Sequence, residues 1–338
     1  MEKEMKRIRK FRWIDRFSRT ASCWLFTAVW ITGLGLAAWL GTAGMAVSET
    51  LPSPAPGAVP VYGLFEVSFP VTLAYDNPFD SSSIQVDAEI QTPDGSTRTV
   101  PCFFDGDAGW KLRFTPSLAG SYSYRVTAKT PSAQAEAASG RFQVEPGAEP
   151  GFVRVGKNSS RHFVFDNGDS YFPVGENMGW VRWGGSSSLK TWIGYLDVCQ
   201  QAGVNWIRIW MCSWGMTELV WTPQGGRYHG YKQYDLENAR VNDGIFQEAQ
   251  KRGIFIQWVI NHHGQYSIDT NPVWNENPYN VKNGGFLESP EQFFTNEEAK
   301  RHYRDRLRYL VARWGYNTHL LAWEFWNEVD LTHRYKAA

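Results

Sequence analysis

Four short, largely apolar segments (residues 171–175, 204–210, 254–260 and 319–326) alternate with stretches whose apolar residues recur at helical spacing. Leu189, Trp192, Ile193, Leu196 and Cys199 fall on one side of a helix that Gly203 stops. Residues 241–252 predict a second helix before Gly253. Thr295-Asn296-Glu297-Glu298 predicts a capping box for a third, with Ala299, Tyr303, Leu307, Leu310 and Trp314 on one face and Gly315 past its end. A chain that repeats strand and helix in this way must pair its strands in parallel, because each helix carries it back to the starting edge of the sheet. Four such units in about 170 residues match half of an eight-stranded (β/α)8 TIM barrel, which takes roughly 250 residues.

The preceding region has a different rhythm. From residue 61 to residue 144 the apolar residues alternate: Phe65/Val67/Phe69, Ile84/Val86/Ala88/Ile90, Trp110/Leu112/Phe114 and Tyr122/Tyr124/Val126. Asp76-Asn77-Pro78, Pro93-Asp94-Gly95 and residues 116–120 supply the turns. Short alternating strands with regular turns predict an antiparallel β-sandwich of immunoglobulin or fibronectin type over residues 61–147. The proline-rich residues 49–60 read as a linker, and Glu145-Pro146-Gly147-Ala148-Glu149-Pro150-Gly151 as the boundary to an α/β part at 151–338. The expected class is therefore multidomain, β followed by α/β.

The first twenty residues carry eight Lys or Arg against three acids in a chain of zero formal net charge, so the remainder is mildly acidic. A mildly acidic body without a basic patch excludes a nucleic-acid partner. Residues 20–48 carry no charge and end in small residues. Basic flank and apolar run make residues 1–48 an export segment, either a cleaved signal peptide or, since the run exceeds the usual roughly 7–15 residues, a retained membrane anchor. In both cases the body works outside the cytoplasm, secreted or membrane-anchored. Cys23 lies in that segment, while Cys102, Cys199 and Cys212 have neither disulfide-framework nor metal-type spacing. His229, His262, His263 and His302 form no ligand set, and no Gly-x-Ser-x-Gly elbow occurs, so neither metal nor other cofactor is expected.

The densest chemical signal is Ala322-Trp323-Glu324-Phe325-Trp326-Asn327-Glu328-Val329-Asp330. An apolar strand breaks into Asn-Glu at the end where parallel barrels build their sites. Here the chain resembles the retaining clan A glycoside hydrolases, the cellulase-like and apiosidase-like TIM barrels. That resemblance implies Glu328 as acid/base and Asn327 as partner of the sugar 2-hydroxyl. It implies a supporting role for Arg208 in Ile207-Arg208-Ile209-Trp210, and a substrate-binding His in Asn261-His262-His263-Gly264-Gln265. Strand alternation allows one of the two His to face the site, and His263 is taken as that one. Glu176 and Asn177, at the end of the first segment, are taken as sugar-hydroxyl contacts. Glu324, deeper on the strand of Glu328, is expected to be charge-paired and structural. Seventeen Trp exceed what a core needs, and flat rings stack on pyranose faces. Trp180, Trp183, Trp214, Trp221, Trp274 and Trp326 lie on or near strand-end loops; Trp180, Trp214 and Trp326 are taken as substrate-binding.

Tyr75-Asp76-Asn77-Pro78-Phe79-Asp80 and Trp110-Lys111-Leu112-Arg113-Phe114-Thr115-Pro116 are similar to the uncharacterised sandwich domain that precedes such barrels. The two resemblances together span residues 60–335. They imply an O-glycosyl hydrolase on polysaccharide or oligosaccharide. In that clan the nucleophile follows a seventh strand, so the expectation is a C-terminally truncated chain, inactive by itself. The alternative from another class is a non-catalytic extracellular carbohydrate-binding protein with a barrel-like cleft. Sugar, linkage and oligomeric state are not fixed by the sequence.

Overall fold

The computed structural model describes residues 57–157, 159–181 and 188–334. The export segment, the linker up to residue 56 and Trp183 lie outside the described residues. Among the described residues no helix is long and apolar enough to cross a membrane.

Eight strands precede the α/β part: β1 (Val59–Pro60), β2 (Phe65–Phe69), β3 (Gln85–Gln91), β4 (Thr97–Pro101), β5 (Phe103–Phe104), β6 (Trp110–Phe114), β7 (Gly120–Lys129) and β8 (Gln134–Glu145). They form two sheets, ordered β1-β8-β7-β3-β4 and β2-β6-β5. All pairings are antiparallel except the two-residue contact of β1 with β8. Alternation does what the sequence requires of it: every second residue of β2 and β3 is buried. Phe65 and Leu112 of one sheet pack against Val86, Ile90, Val126 and Phe142 of the other, and the Phe65 and Phe142 rings stack with centroids 3.8 Å apart. β8, the longest strand, was not legible as one, because small and polar residues fill its first half.

A three-stranded antiparallel meander comes next, in the order β11-β10-β9: β9 (Val153–Gly156), β10 (Ser159–Phe165) and β11 (Ser170–Tyr171). This corrects the sequence reading, which made residues 171–175 the first barrel strand. Pro173 has no amide proton to give a ladder and separates Tyr171 from the extended backbone that begins at Gly175, and Phe172 is exposed. Phe165 and Tyr171 instead pack on Phe255, the first residue of a barrel strand, with centroids 5.7 and 4.9 Å away. The meander thus closes the end of the parallel sheet opposite to the site.

The parallel sheet runs in the order β12 (Gly175–Gly179), β13 (Trp206–Trp210), β14 (Phe255–His262), β15 (Leu320–Asn327). Helices α1 (Ser188–Gln201), α2 (Leu236–Lys251), and α3 (Gln292–Thr295) with α4 (Glu297–Trp314) occupy the three connections. Helix α2 starts five residues before the expected position, since Asp235 accepts the Asn238 amide as N-cap. At α4 the cap is Asn296, not Thr295; its side chain accepts the amides of Glu298 and Ala299. Ile207, Ile209, Ile256, Trp258 and Ile260 face the helices and join Trp192, Leu196, Phe246, Leu310 and Trp314 in one core. The opposite face carries Arg208, Trp210, Gln257 and Glu324. This is half-barrel geometry: helices cover one face, except at Phe325 of β15, which is exposed, and the other face is polar and aromatic.

The sandwich is not an appendage on a flexible linker; it and the α/β part form one compact unit. At the joint, Arg113 of β6 donates to Glu66 at 2.6 Å, to Asp243 of α2 at 3.0 Å and to the Arg313 carbonyl at 3.0 Å. Fully buried Arg313 of α4 donates to Asp105 at 2.9 Å and to Asp243 at 2.7 Å, and the Trp314 indole donates to Asp243 at 2.7 Å. Removing one partner of a buried charged network strands the others, at about 3–5 kcal/mol. We therefore predict that Arg313→Met lowers unfolding stability by about 3 kcal/mol or more. Urea unfolding followed by fluorescence and by circular dichroism should give one shared transition in both proteins. Separate transitions for the two parts would contradict a single folding unit.

Candidate active site

The polar face of the parallel sheet needs a partner for every charge it holds, and one cation organises it. Arg208 Nε donates to Glu324 Oε2 at 2.7 Å, Nη2 to Asn327 Oδ1 at 2.7 Å, and Nη1 to Asn177 Oδ1 at 3.4 Å. Gln257 Nε2 holds Glu324 Oε2 from the strand between, at 2.6 Å. Glu324 is thus the charge-paired residue of the face. All four strands contribute to this cluster: Asn177 from β12, Arg208 from β13, Gln257 from β14, and both Glu324 and Asn327 from β15.

Asn327, buried at the last position of β15, passes this order on. Its Nδ2 donates to Glu328 Oε2 at 2.8 Å. Glu328 leaves the strand with φ 51° and ψ 52°, in the left-handed region that a residue with a Cβ enters only when its surroundings impose it. Its carboxylate is half exposed, at 54%, and opens at the carboxyl end of the parallel strands. His263 Nδ1 lies 3.1 Å from Glu328 Oε2, without forming a hydrogen bond to it. The other ring nitrogen faces Asn271 Nδ2 at 3.3 Å. The arrangement sets an exposed carboxyl between an amide donor and an imidazole ring.

Both histidines of the Asn-His-His run lie at the site, contrary to the expectation of one. β14 ends at His262, and His263 begins a 3-10 turn, so strand alternation no longer applies. The His262 ring stacks on Trp210 at 5.7 Å and meets Trp214 edge-on at 4.9 Å. Trp180, 43% exposed, stands edge-on to Trp210 and Trp214 at 5.2 and 5.5 Å. These rings form an aromatic wall beside the Arg208 guanidinium, which lies 5.4 Å from the Trp210 ring. Trp210 and His262 were not taken as site residues from sequence. The parity shared by Arg208 and Trp210 on β13 was the available signal.

Other candidates fall elsewhere. Trp326 packs with Tyr266 and Phe294 at 5.1 and 5.4 Å and donates to Thr332 at 2.9 Å, so it belongs to the loop packing. Trp221 and Trp274 are buried. Glu176 alternates with Asn177 in β12, and with Asn177 beside Arg208 the alternation turns Glu176 to the other face of the sheet. Beneath the site, fully buried Glu218 pairs with Arg306 at 2.8 Å and accepts from Gln265 at 2.9 Å. Gln265 accepts the Asn261 side chain and the His262 amide, at 2.9 and 3.2 Å, which fixes the turn that carries both histidines. Among the described residues no three His, Cys, Asp or Glu side chains group so as to hold a metal ion.

Residues 58–129 match the family described as Domain of unknown function (DUF5060). In sequence the chain is similar to the proteins named probable mannan endo-1,4-beta-mannosidase A of Aspergillus flavus and Aspergillus oryzae. Each is 26% identical over 226 residues, covering 64% of this chain and 54% of the relative. The chain spans about half the length of these curated relatives. Among solved structures it resembles one from Bacteroides vulgatus, provisionally named a glycoside hydrolase, with a TM-score of 0.58 at 20% identity over 84% of this chain and 51% of that one. A likeness over 84% of the chain takes in both the sandwich and the α/β part, so the two-part β plus α/β fold is shared.

The buried histidines make the acid limb of stability predictable. Burial, with His263 and Arg306 adding to it, depresses His262 to about 3, and burial alone takes His319 to about 4. The unfolded chain binds these protons near pH 6.5, the folded one only far below it. Their contribution is therefore complete above about pH 6.5 and is lost as pH falls toward 4, at about 1.4 kcal/mol per histidine per pH unit. Urea midpoints should fall between pH 7.5 and pH 5, and less steeply in His319→Phe. A midpoint unchanged over that range would contradict the assignment.

Proposed function

We propose that this chain carries the acid/base side of a retaining O-glycosyl hydrolase site for a neutral, β-linked polysaccharide, with mannan the first candidate. The observation that carries the reading is the line Arg208–Asn327–Glu328–His263 at the carboxyl ends of the strands. The curated relatives' names support the substrate class. In this reading the Glu328 carboxyl protonates the leaving glycosidic oxygen as the nucleophile displaces it from the anomeric carbon. The carboxylate then takes a proton from the water that displaces the nucleophile from that carbon. Asn327 Nδ2 steadies the carboxylate, the His263 ring stands beside it, and Asn327 meets the sugar 2-hydroxyl. Trp180 and Trp214 offer ring faces to pyranose units.

Retention needs a second carboxylate about 5–5.5 Å from the first. Glu324 does not suit, since Arg208 and Gln257 occupy both its oxygens. We assign the nucleophile to a group outside these four strands, and the sandwich to the immunoglobulin-like class. The basic and then apolar N-terminal segment is taken to deliver the chain outside the cytoplasm.

The test is turnover of β-1,4-mannan and β-1,4-glucan by the product of the full reading frame. Glu328→Gln should lower kcat by about 10²–10⁴-fold and leave oligosaccharide binding within a few fold. A variant that retains parental turnover would refute the assignment. Binding without turnover in the parent would favour the carbohydrate-binding alternative.

A further inference from the structure

The segment Tyr75-Asp76-Asn77-Pro78-Phe79-Asp80, which the catalytic reading leaves unused, is a second place where the sandwich grips the α/β part. Asn77 Nδ2 donates to the Lys232 carbonyl at 2.8 Å, and its Oδ1 accepts the Phe79 amide at 3.0 Å. That turn drives the Phe79 ring against Tyr234 at 4.6 Å and Phe104 at 5.8 Å, and Asp80 pairs with Arg301 of α4 at 2.5 Å. A cleft of about 450 Å³ opens beside this hook, its walls shared between the two parts of the chain. Tyr75, Phe79 and Phe104 come from the sandwich; Arg227, Gln233 and Glu237 come from the loop after β13 and the first turn of α2. The volume falls within the roughly 300–1,000 Å³ of small-molecule sites.

Its chemistry narrows the ligand. The rings are fixed: Tyr75 meets Trp110 edge-on at 6.1 Å and accepts its indole N–H at 3.3 Å. The single guanidinium, Arg227, is neutralised by Asp235 at 3.4 Å and Glu237 at 3.1 Å. With a second carboxylate against one cation the cleft is not a home for an anion. Gln233 and His229 are exposed on its rim. Flat apolar rings edged by amide, imidazole and carboxylate groups suit a neutral polyhydroxylated ligand. The loop after β13 and the start of α2 lie at the carboxyl end of the parallel strands, the end at which Glu328 opens. We infer that this joint is an accessory subsite for a neutral oligosaccharide, and that the sandwich supplies half of it. The inference rests on the glycan reading of the site.

The test is isothermal titration and saturation-transfer NMR of mannopentaose and of cellopentaose on the non-hydrolysing Glu328→Gln protein. Binding should weaken at least tenfold at one site in His229→Ala/Gln233→Ala, whose exposed side chains leave folding intact, and likewise in Tyr75→Leu. Introduced into the hydrolytic parent, the same changes should leave turnover of a short aryl glycoside unchanged. Saccharide binding that both cleft variants leave unaltered would overturn the inference, as would failure of both pentasaccharides to bind. Cleft-dependent binding by a parent that never hydrolyses a glycan would uphold the subsite and count against the hydrolase reading alone.

Discussion

The guanidinium of Arg208 lies on the open face of a parallel sheet, where a cation has no apolar alternative and must be met by acceptors. Glu324 meets it from β15, and Asn327 meets it again three residues further along the same strand. Two attachments to one strand fix both its position and its end. The backbone then has to turn at Glu328, and it does so through a conformation that side chains seldom adopt. The carboxyl that the turn exposes is held by the amide of Asn327, which is itself held by Arg208. Position therefore flows in one direction, from a charge pair within the sheet to a carboxyl at its rim. Glu324 and Glu328 stand four residues apart in different surroundings, because only one of them faces the cation.

The same economy of charge shapes the joint between the two parts. Arg113 and Arg313 lie between acids from both sides, with Asp243 shared between them. A sandwich attached in this way cannot move independently of α2 and α4 without exposing buried ions. Its aromatic hook, Phe79, packs against both rings of the Tyr234–Tyr309 pair. Rigid attachment lets a surface built from both parts keep its shape, which a binding cleft across the joint requires.

Much of this was legible because it depends on local periodicity. Alternation in residues 65–69 and 84–90, and helical spacing from Leu189 to Cys199, each follow from which side of an element must be dry. The Asn-Glu step after an apolar strand was legible for the same reason: the strand's end is where alternation stops. The features that escaped detection depend on partners distant in sequence. Tyr171 reads as the start of a barrel strand until Phe255 is seen to claim its ring. Both histidines of the 262–263 pair reach the site because Gln265 bends the chain under them, and Gln265 is fixed by Glu218, 47 positions away. Glu176 reads as a sugar-hydroxyl contact when residues 171–175 form the strand; with Gly175–Gly179 as the strand, alternation turns it away from Arg208. The role of Trp326 was likewise settled by tertiary packing, with Tyr266 and Phe294 enclosing its ring.

The central claim, that Glu328 delivers a proton to a departing sugar, is tested most directly by varying how much the leaving group needs one. In Glu328→Ala, cleavage of a glycoside with a poor leaving group should slow by about 10²–10⁴-fold, while bond breaking in a dinitrophenyl glycoside, whose phenolate departs without protonation, should keep near-parental rates in the pre-steady state. Equal losses for the two substrates would contradict the claim and reduce Glu328 to a structural residue of the barrel rim.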